Sequence, residues 1–186
     1  VLDELSSNDA FKIYALGGPA VLFMKHYSDP SFFVPSEDHE VFPGHSAFIV
    51  HSAQIVNDLT SSSGYAAYSQ KGANCDVFIY GPYVFLPPGT FDVIFEVKVS
   101  EHNEGYLGTL EVSDNYGASI ICKGDLYGFD TPANTWRSYT LSLTTTELRS
   151  AVKFCILTAG ISDVFLDKVI VRRVNQSANT DFGTNT

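Results

Sequence analysis

The sequence predicts an all-β fold, an antiparallel β-sandwich of jelly-roll type, on three observations. One stretch alternates cleanly over ten residues. Short runs of branched and aromatic residues recur along the chain between Gly, Pro and Asn turns. Almost nothing carries a helical period.

The alternating stretch is Thr90–Ser100. Phe91, Val93, Phe95, Val97 and Val99 fall on one face, and Asp92, Glu96 and Lys98 on the other, with Ile94 the exception. A period of two marks a strand with one buried side. Before it stands Pro87-Pro88-Gly89, which lacks two amide donors and cannot lie inside a central strand. It is expected to form a tight turn. The run "CDVFIYGPYVFL" (75–86) is then the antiparallel partner, with a bulge or edge kink at Gly81-Pro82. Further strands are expected at Ala10–Leu16, Ala20–Lys25, Ser46–Val56, Tyr65–Ser69, Leu107–Ser113, Ala118–Cys122, Trp136–Leu143, Val152–Thr158 and Val164–Val174. Only "TTTELRS" (144–150) has the makings of a helical turn.

The 186 residues suit one domain with tails, long enough to bury a core without staples. Residues 1–44 read as an N-terminal extension with one or two strands, ending in a long loop rich in proline (28–44). Residues 45–174 read as the sandwich, and 175–186 as a flexible tail.

With 21 acids against 11 bases the formal net charge is −10, and Arg172-Arg173 is the one adjacent basic pair. A nucleic-acid binder needs a basic stripe, so that class is excluded. No apolar run approaches the ~20 residues of a membrane-spanning helix. The chain begins at Val1, which fits a processed secreted protein, extracellular or at the cell surface; the formal sequon Asn175-Gln176-Ser177 is too short a pattern to mean much alone. Cys75, Cys122 and Cys155 have no metal-ligand spacing. Two readings stay open for them: buried small hydrophobes, or one disulfide with a free thiol.

From about residue 45 to 174 the order of pieces has a recognisable layout. "VNDLTSSSGYAAYS" (56–69) precedes "YGPYVFLPPGTFDVIFEVKV" (80–99). "LGTLEVSDNYGA" (107–118), "LYGFDTPANTWRSYTLSL" (126–143), "VKFCI" (152–156) and "VFLDKVIVRRV" (164–174) follow. This resembles the galactose-binding-like jelly roll of non-catalytic carbohydrate-binding modules, over roughly 70% of the chain by these bounds. The resemblance implies a binding module, with glycan or polysaccharide as partner. Modules of this type often open on a Glu-bearing strand that helps hold a structural calcium. Here "HSAFIVHSAQ" (45–54) carries no carboxylate, so no calcium site of that type, and no cofactor, is expected.

A sugar ring offers an apolar face and a rim of hydroxyls, which proteins meet with an exposed aromatic ring and polar side chains. The loops "EHNEGY" (101–106), "SDNYG" (113–117) and "LYGFDTPANTW" (126–136) carry such groups. Asn103, Tyr106, Asn115, Tyr116 and Tyr127 are therefore the candidate ligand-binding residues. Trp136 leads a strand and is expected to pack in the core. Oxygen-rich clusters at Glu37-Asp38-His39-Glu40, at Glu101, Asn103 and Glu104, and at Asp163 and Asp167 follow no calcium-loop pattern and read as solvated loop charge; Asp167 is placed to bond backbone instead. His45 and His51 share a face of one expected strand without a partner motif, and neither a G-x-S-x-G elbow nor a phosphate loop is present. The protein is thus expected not to be an enzyme. The alternative to glycan binding is a structural subunit of a filament or surface layer, self-assembling by strand addition through "AFKIYAL" (10–16).

Overall fold

A computed structural model describes residues 3–4, 14–15, 39–44, 48–50, 53–73, 76–102 and 104–174. Its strands in chain order are β1 (Asp3–Glu4), β2 (Tyr14–Ala15), β3 (His39–Pro43), β4 (Ile49–Val50), β5 (Gln54–Asn57), β6 (Tyr65–Ser69), β7 (Asp76–Leu86), β8 (Gly89–Val99), β9 (Tyr106–Asp114), β10 (Ser119–Tyr127), β11 (Arg137–Thr145), β12 (Arg149–Thr158) and β13 (Val164–Arg173). Two antiparallel sheets make the sandwich. One runs β10-β9-β12-β7-β4; the other runs β11-β8-β13-β6-β5, with β3 also paired to β13. The expected antiparallel jelly roll is the fold observed.

The inner faces follow from register. Phe95 of β8 lies between Tyr139 of β11 and Val169 of β13, and Val93 between Leu141 and Val171. In the facing sheet Ile156 of β12 lies between Leu110 of β9 and Ile79 of β7. Phe91, Val93, Phe95, Val97 and Val99 are all fully buried, as the alternation requires. Each such side chain contributes roughly 1.5–3 kcal/mol by leaving water. Ile94, the apparent exception, points outward and pairs with Ile170 of β13.

The Pro-Pro-Gly segment is not a hairpin. β7 pairs with β12 and β4, whereas β8 pairs with β11 and β13, so the two strands lie in opposite sheets. From Leu86 to Gly89 the chain takes three steps, which when extended span about 10 Å, the usual spacing of packed sheets. The two prolines, which favour an extended backbone, bridge the layers. Thr145 donates to the Pro87 carbonyl at 2.9 Å, and the Arg173 guanidinium donates to that of Pro88. The irregularity expected at Gly81-Pro82 is present. Pairing to β12 skips Tyr83, between Pro82 and Val84, and Tyr83 has φ 69°.

Three other expectations change. Residues 144–150 form no helical turn: Thr144 and Thr145 end β11, and β12 begins at Arg149. The expected strand Ser46–Val56 is split into β4 and β5, which belong to different sheets. Within the expected loop 28–44, residues 39–43 pair with β13 from Lys168 to Arg172, a ladder too short to show a period in sequence. Of "AFKIYAL", Tyr14–Ala15 pairs with Asp3–Glu4 in a sheet of its own, and the rest lies outside the described residues. So do Ala20–Lys25, the tail 175–186, Cys75, His45 and His51.

Candidate functional site

The β9–β10 hairpin carries the site. Its register pairs Thr109 with Asp125, Glu111 with Lys123 and Ser113 with Ile120. Val112, Leu110 and Leu126 face the core, so Thr109, Glu111, Lys123 and Asp125 face outward. Tyr106 is three residues from Thr109, and simple alternation would send the two to opposite faces. A register shift between Leu126 and Tyr127 corrects this: Leu126 pairs with Gly108 and Tyr127 with Tyr106, leaving Leu107 out of the ladder and buried. The bulge re-aims Tyr106 onto the outer face.

There Tyr106 and Tyr127 meet edge to face, with ring centroids 5.8 Å apart. Phe129 stacks on Tyr127 at 5.3 Å and 20°. Tyr106 is 42% exposed and Phe129 61%. Thr109 Oγ1 donates to Asp125 Oδ1 at 3.2 Å, which leaves the Tyr106 hydroxyl as donor in its 2.6 Å bond to Thr109 Oγ1. This relay fixes the Tyr106 ring. Phe129 rides on a 3₁₀ turn, Gly128–Asp130. Gly128 N–H donates to Gly105 O at 2.9 Å, Thr131 Oγ1 to Tyr127 O at 2.9 Å, and the Tyr139 hydroxyl to Asp130 O at 3.0 Å. The patch is thus held in place before any ligand arrives.

Asn115 and Tyr116 sit at the opposite end of the hairpin, in a turn whose residues Asn115, Tyr116 and Gly117 have φ of 48°, 59° and 90°. Tyr116 is 66% exposed. Its ring lies 5.6 Å from that of Tyr83, which is 6.3 Å from Tyr80, and Lys153 Nζ lies 5.8 Å from the Tyr80 centroid. Burial, with Tyr80 and Cys155 close by, holds the Tyr83 hydroxyl above its ordinary range. Of the five candidate residues, then, Tyr106 and Tyr127 come together, Asn115 and Tyr116 form a separate group, and Asn103 lies outside the described residues. Phe129 was missed by sequence reasoning. Its place beside "LYG" in a turn-rich segment is the signal that could have found it.

The outer face of the other sheet is covered around Lys98. Across β6, β13 and β8 the register aligns Tyr68, Phe165 and Lys98. The Lys98 ammonium pairs with the Asp58 carboxylate, each side chain only 10% exposed. It lies 4.8 Å from the Phe165 centroid and 4.7 Å from that of Trp136. Trp136 Nε1 donates to Thr60 Oγ1 at 3.0 Å. Ser62 donates its N–H and hydroxyl to Asp167. The β5–β6 loop is therefore strapped over this sheet. Trp136 is a half-buried lid on Lys98 rather than a core residue, its indole N–H held by Thr60 of the β5–β6 loop.

Glu101, Asp163 and Asp167 have protein partners. Glu101 pairs with Lys71. Asp163 accepts from the Lys71 amide at 2.7 Å, from Ser100 Oγ at 3.0 Å and from the Tyr68 hydroxyl at 3.1 Å. Asp167, expected to bond backbone within the closing strand, instead accepts from Ser62 of the β5–β6 loop. Among the described residues no three His, Cys, Asp or Glu side chains converge to hold a metal ion. Also among them, no helix is long and apolar enough to cross a membrane. Cys122 is a free thiol that burial pushes up to about 11, and Cys155 is buried.

No protein-family model matches the sequence, and no curated protein matches it. Solved structures do. The C-terminal family 6 carbohydrate-binding module of the laminarinase LamC from Zobellia galactanivorans superposes with a TM-score of 0.53 at 10% identity, over 73% of this chain and 99% of that one. A family 35 module from Paenibacillus barcinonensis gives 0.51 at 13% identity, over 71% and 97%. The family 22–catalytic module pair of Clostridium thermocellum xylanase 10B, complexed with xylohexaose, gives 0.51 at 14% identity, over 81% of this chain and 30% of that one. The chain therefore shares the jelly-roll β-sandwich fold of these carbohydrate-binding modules.

Proposed function

We propose that the protein is a secreted, non-catalytic carbohydrate-binding module that recognises glycan through the Tyr106–Tyr127–Phe129 patch. The carrying observation is that three rings, two of them well exposed, are fixed on one sheet face beside an exposed carboxylate. A sugar lays its apolar C–H face on the rings, and its hydroxyls donate to Asp125. The patch is shallow, so affinity rests on few contacts. The fold supports this reading, since its structural neighbours are such modules. On this reading the protein meets its polysaccharide outside the cell or at the cell surface.

Affinity electrophoresis through gels cast with xylan, mixed-linkage glucan, laminarin or galactan tests the proposal. Retardation is expected in at least one gel, and Tyr106→Ala and Phe129→Ala should each weaken it about tenfold or more, as for central aromatic anchors. Unretarded migration in every gel, with both variants behaving like the parent, would reject it.

A further inference from the structure

β11 is a sheet edge without the usual guards. Among the described residues Arg137–Thr145 pairs with β8 alone, along its whole length and with no register shift. In an antiparallel ladder alternate residues turn their N–H and C=O groups away from the one neighbour, so this edge presents a row of them outward. Edge strands are ordinarily blunted by shortness, charge, proline or a bulge. The other edges described have such devices. β4 and β5 are two and four residues long. β3 carries Glu40 and ends on Pro43. β10 carries Lys123 and Asp125, with register shifts at Ile120/Cys122 and Leu126/Tyr127. β11 reads "RSYTLSLTT", and its single charge stands at the first residue. The core is also least covered on this side. Tyr139 and Leu141 of β11, with Ile121 and Cys122 of β10, pack on the core but stay partly exposed. Leu141 lies against Gly124 of β10, where an added Cβ would come within 2.8 Å of its Cδ2. The adjoining edges of the two layers thus meet along a seam of half-covered apolar side chains.

We propose that β11 is a dimer edge, pairing antiparallel with β11 of a second copy about a two-fold axis at Leu141. The strand is complementary to itself. Pairing about Leu141 sets Tyr139 opposite Leu143 and Leu141 opposite its own copy on the inner face, where the alternate residues of the strand are covered. On the exposed face it sets Ser138 opposite Thr144 and Thr140 opposite Ser142. Apolar side chains meet apolar ones and hydroxyls meet hydroxyls, which is favourable between neighbouring strands. Arg137 falls opposite Thr145 at each end, so no like charges meet on the strand although each chain carries a formal charge of −10. Slipping the pairing by one residue would set the inner face of one strand beside the outer face of the other. The register about Leu141 keeps the faces matched and uses every residue of the strand. Such a contact is isologous and closes on itself. Because the axis runs through the sheet, both five-stranded sheets, with their ring patches, face the same way. Two patches presented together to one polymer surface gain by avidity.

Sedimentation equilibrium of the 186-residue chain tests this over roughly 1 µM to 1 mM, the range of weak specific pairs. A monomer–dimer equilibrium is expected. Amide hydrogen exchange within 137–145 should slow at the higher concentration, which needs no variant. Two double variants then read the register: Thr140→Lys with Ser142→Lys, and Thr140→Glu with Ser142→Glu. Both positions are exposed, and circular dichroism checks that each variant is folded. In the dimer each variant sets like charges directly opposite, so each alone should stay monomeric across the range. An equimolar mixture sets opposite charges together and should dimerise again. A parent that stays monomeric, or unchanged exchange within 137–145, would overturn the inference. So would variants that dimerise like the parent, or a mixture no more dimeric than its parts. Open-ended polymers that vanish on deleting residues 1–16 would also overturn it, by making a donated N-terminal segment the partner strand.

Discussion

The Lys98 ammonium lies 4.7 Å from the centre of the Trp136 ring while its charge is paired with Asp58, both side chains nearly out of solvent. This contact helps fasten the β5–β6 loop over the Lys98 end of one sheet, while Tyr106, Tyr116 and Phe129 stand exposed beside the other.

Lys98→Met should destabilise the protein by about 3–5 kcal/mol, because it strands the Asp58 carboxylate in a dry site. Adding Asp58→Asn should recover much of that loss. Urea unfolding of the parent, the two single variants and the double variant checks this. Equal stability of Lys98→Met and the parent would show the pair to be solvated.

Stability should depend on pH in the acid range. Hydrogen bonds from Arg172 and Ser142 hold the Asp92 carboxyl below its ordinary 3.8. For Asp58, burial pushes upward, but the bonds from Lys98 and Thr60 outweigh it; for Asp163, burial is outweighed by bonds from the Lys71 amide, Ser100 and Tyr68. A carboxyl lowered in the folded state contributes stability that is present above its unfolded value and lost as pH falls through its folded one. The melting temperature should therefore be flat from neutral pH down to about pH 5 and fall from about pH 4 downward. Asp92→Asn should make that fall shallower; an unchanged slope would show that Asp92 takes no part in it.

Cys122 should be inert in the native protein. With its thiol pushed up to about 11, roughly one part in a thousand is thiolate at pH 8, and Cys155 is buried. Peptide mapping after iodoacetamide treatment at pH 8 should find both unmodified when folded and both alkylated in urea. Rapid native labelling of Cys122 would contradict its environment.

How much of this was legible in the sequence depended on range. The alternation in Thr90–Ser100 announced a strand with one buried side, since each residue there obeys its own two-residue period. What β8 pairs with was not legible. Pro-Pro-Gly satisfies a hairpin and a bridge between sheets equally well, and only strands more than forty residues onward, β11 and β13, decide between them. The site shows the same split. Tyr106 and Tyr127 stood in loops flanking strands, but a one-residue bulge at Leu107 decides that they share a face, and Phe129 enters only through the turn that stacks it on Tyr127. Trp136 was misplaced because its acceptor, Thr60, lies 76 residues earlier.

The path of the chain has a kinetic consequence. From β6 to β9, and again from β10 to β13, each strand is laid down in the sheet opposite its predecessor, so β5–β6 and β9–β10 are the sequence-adjacent strands of the sandwich that pair directly. Nearly every other ladder must wait for a distant stretch of chain to arrive. Such a topology closes long loops before it gains contacts, which places folding in the milliseconds-to-seconds range. During synthesis the five-stranded layer must wait for β12 to leave the ribosome, and the six-stranded layer for β13.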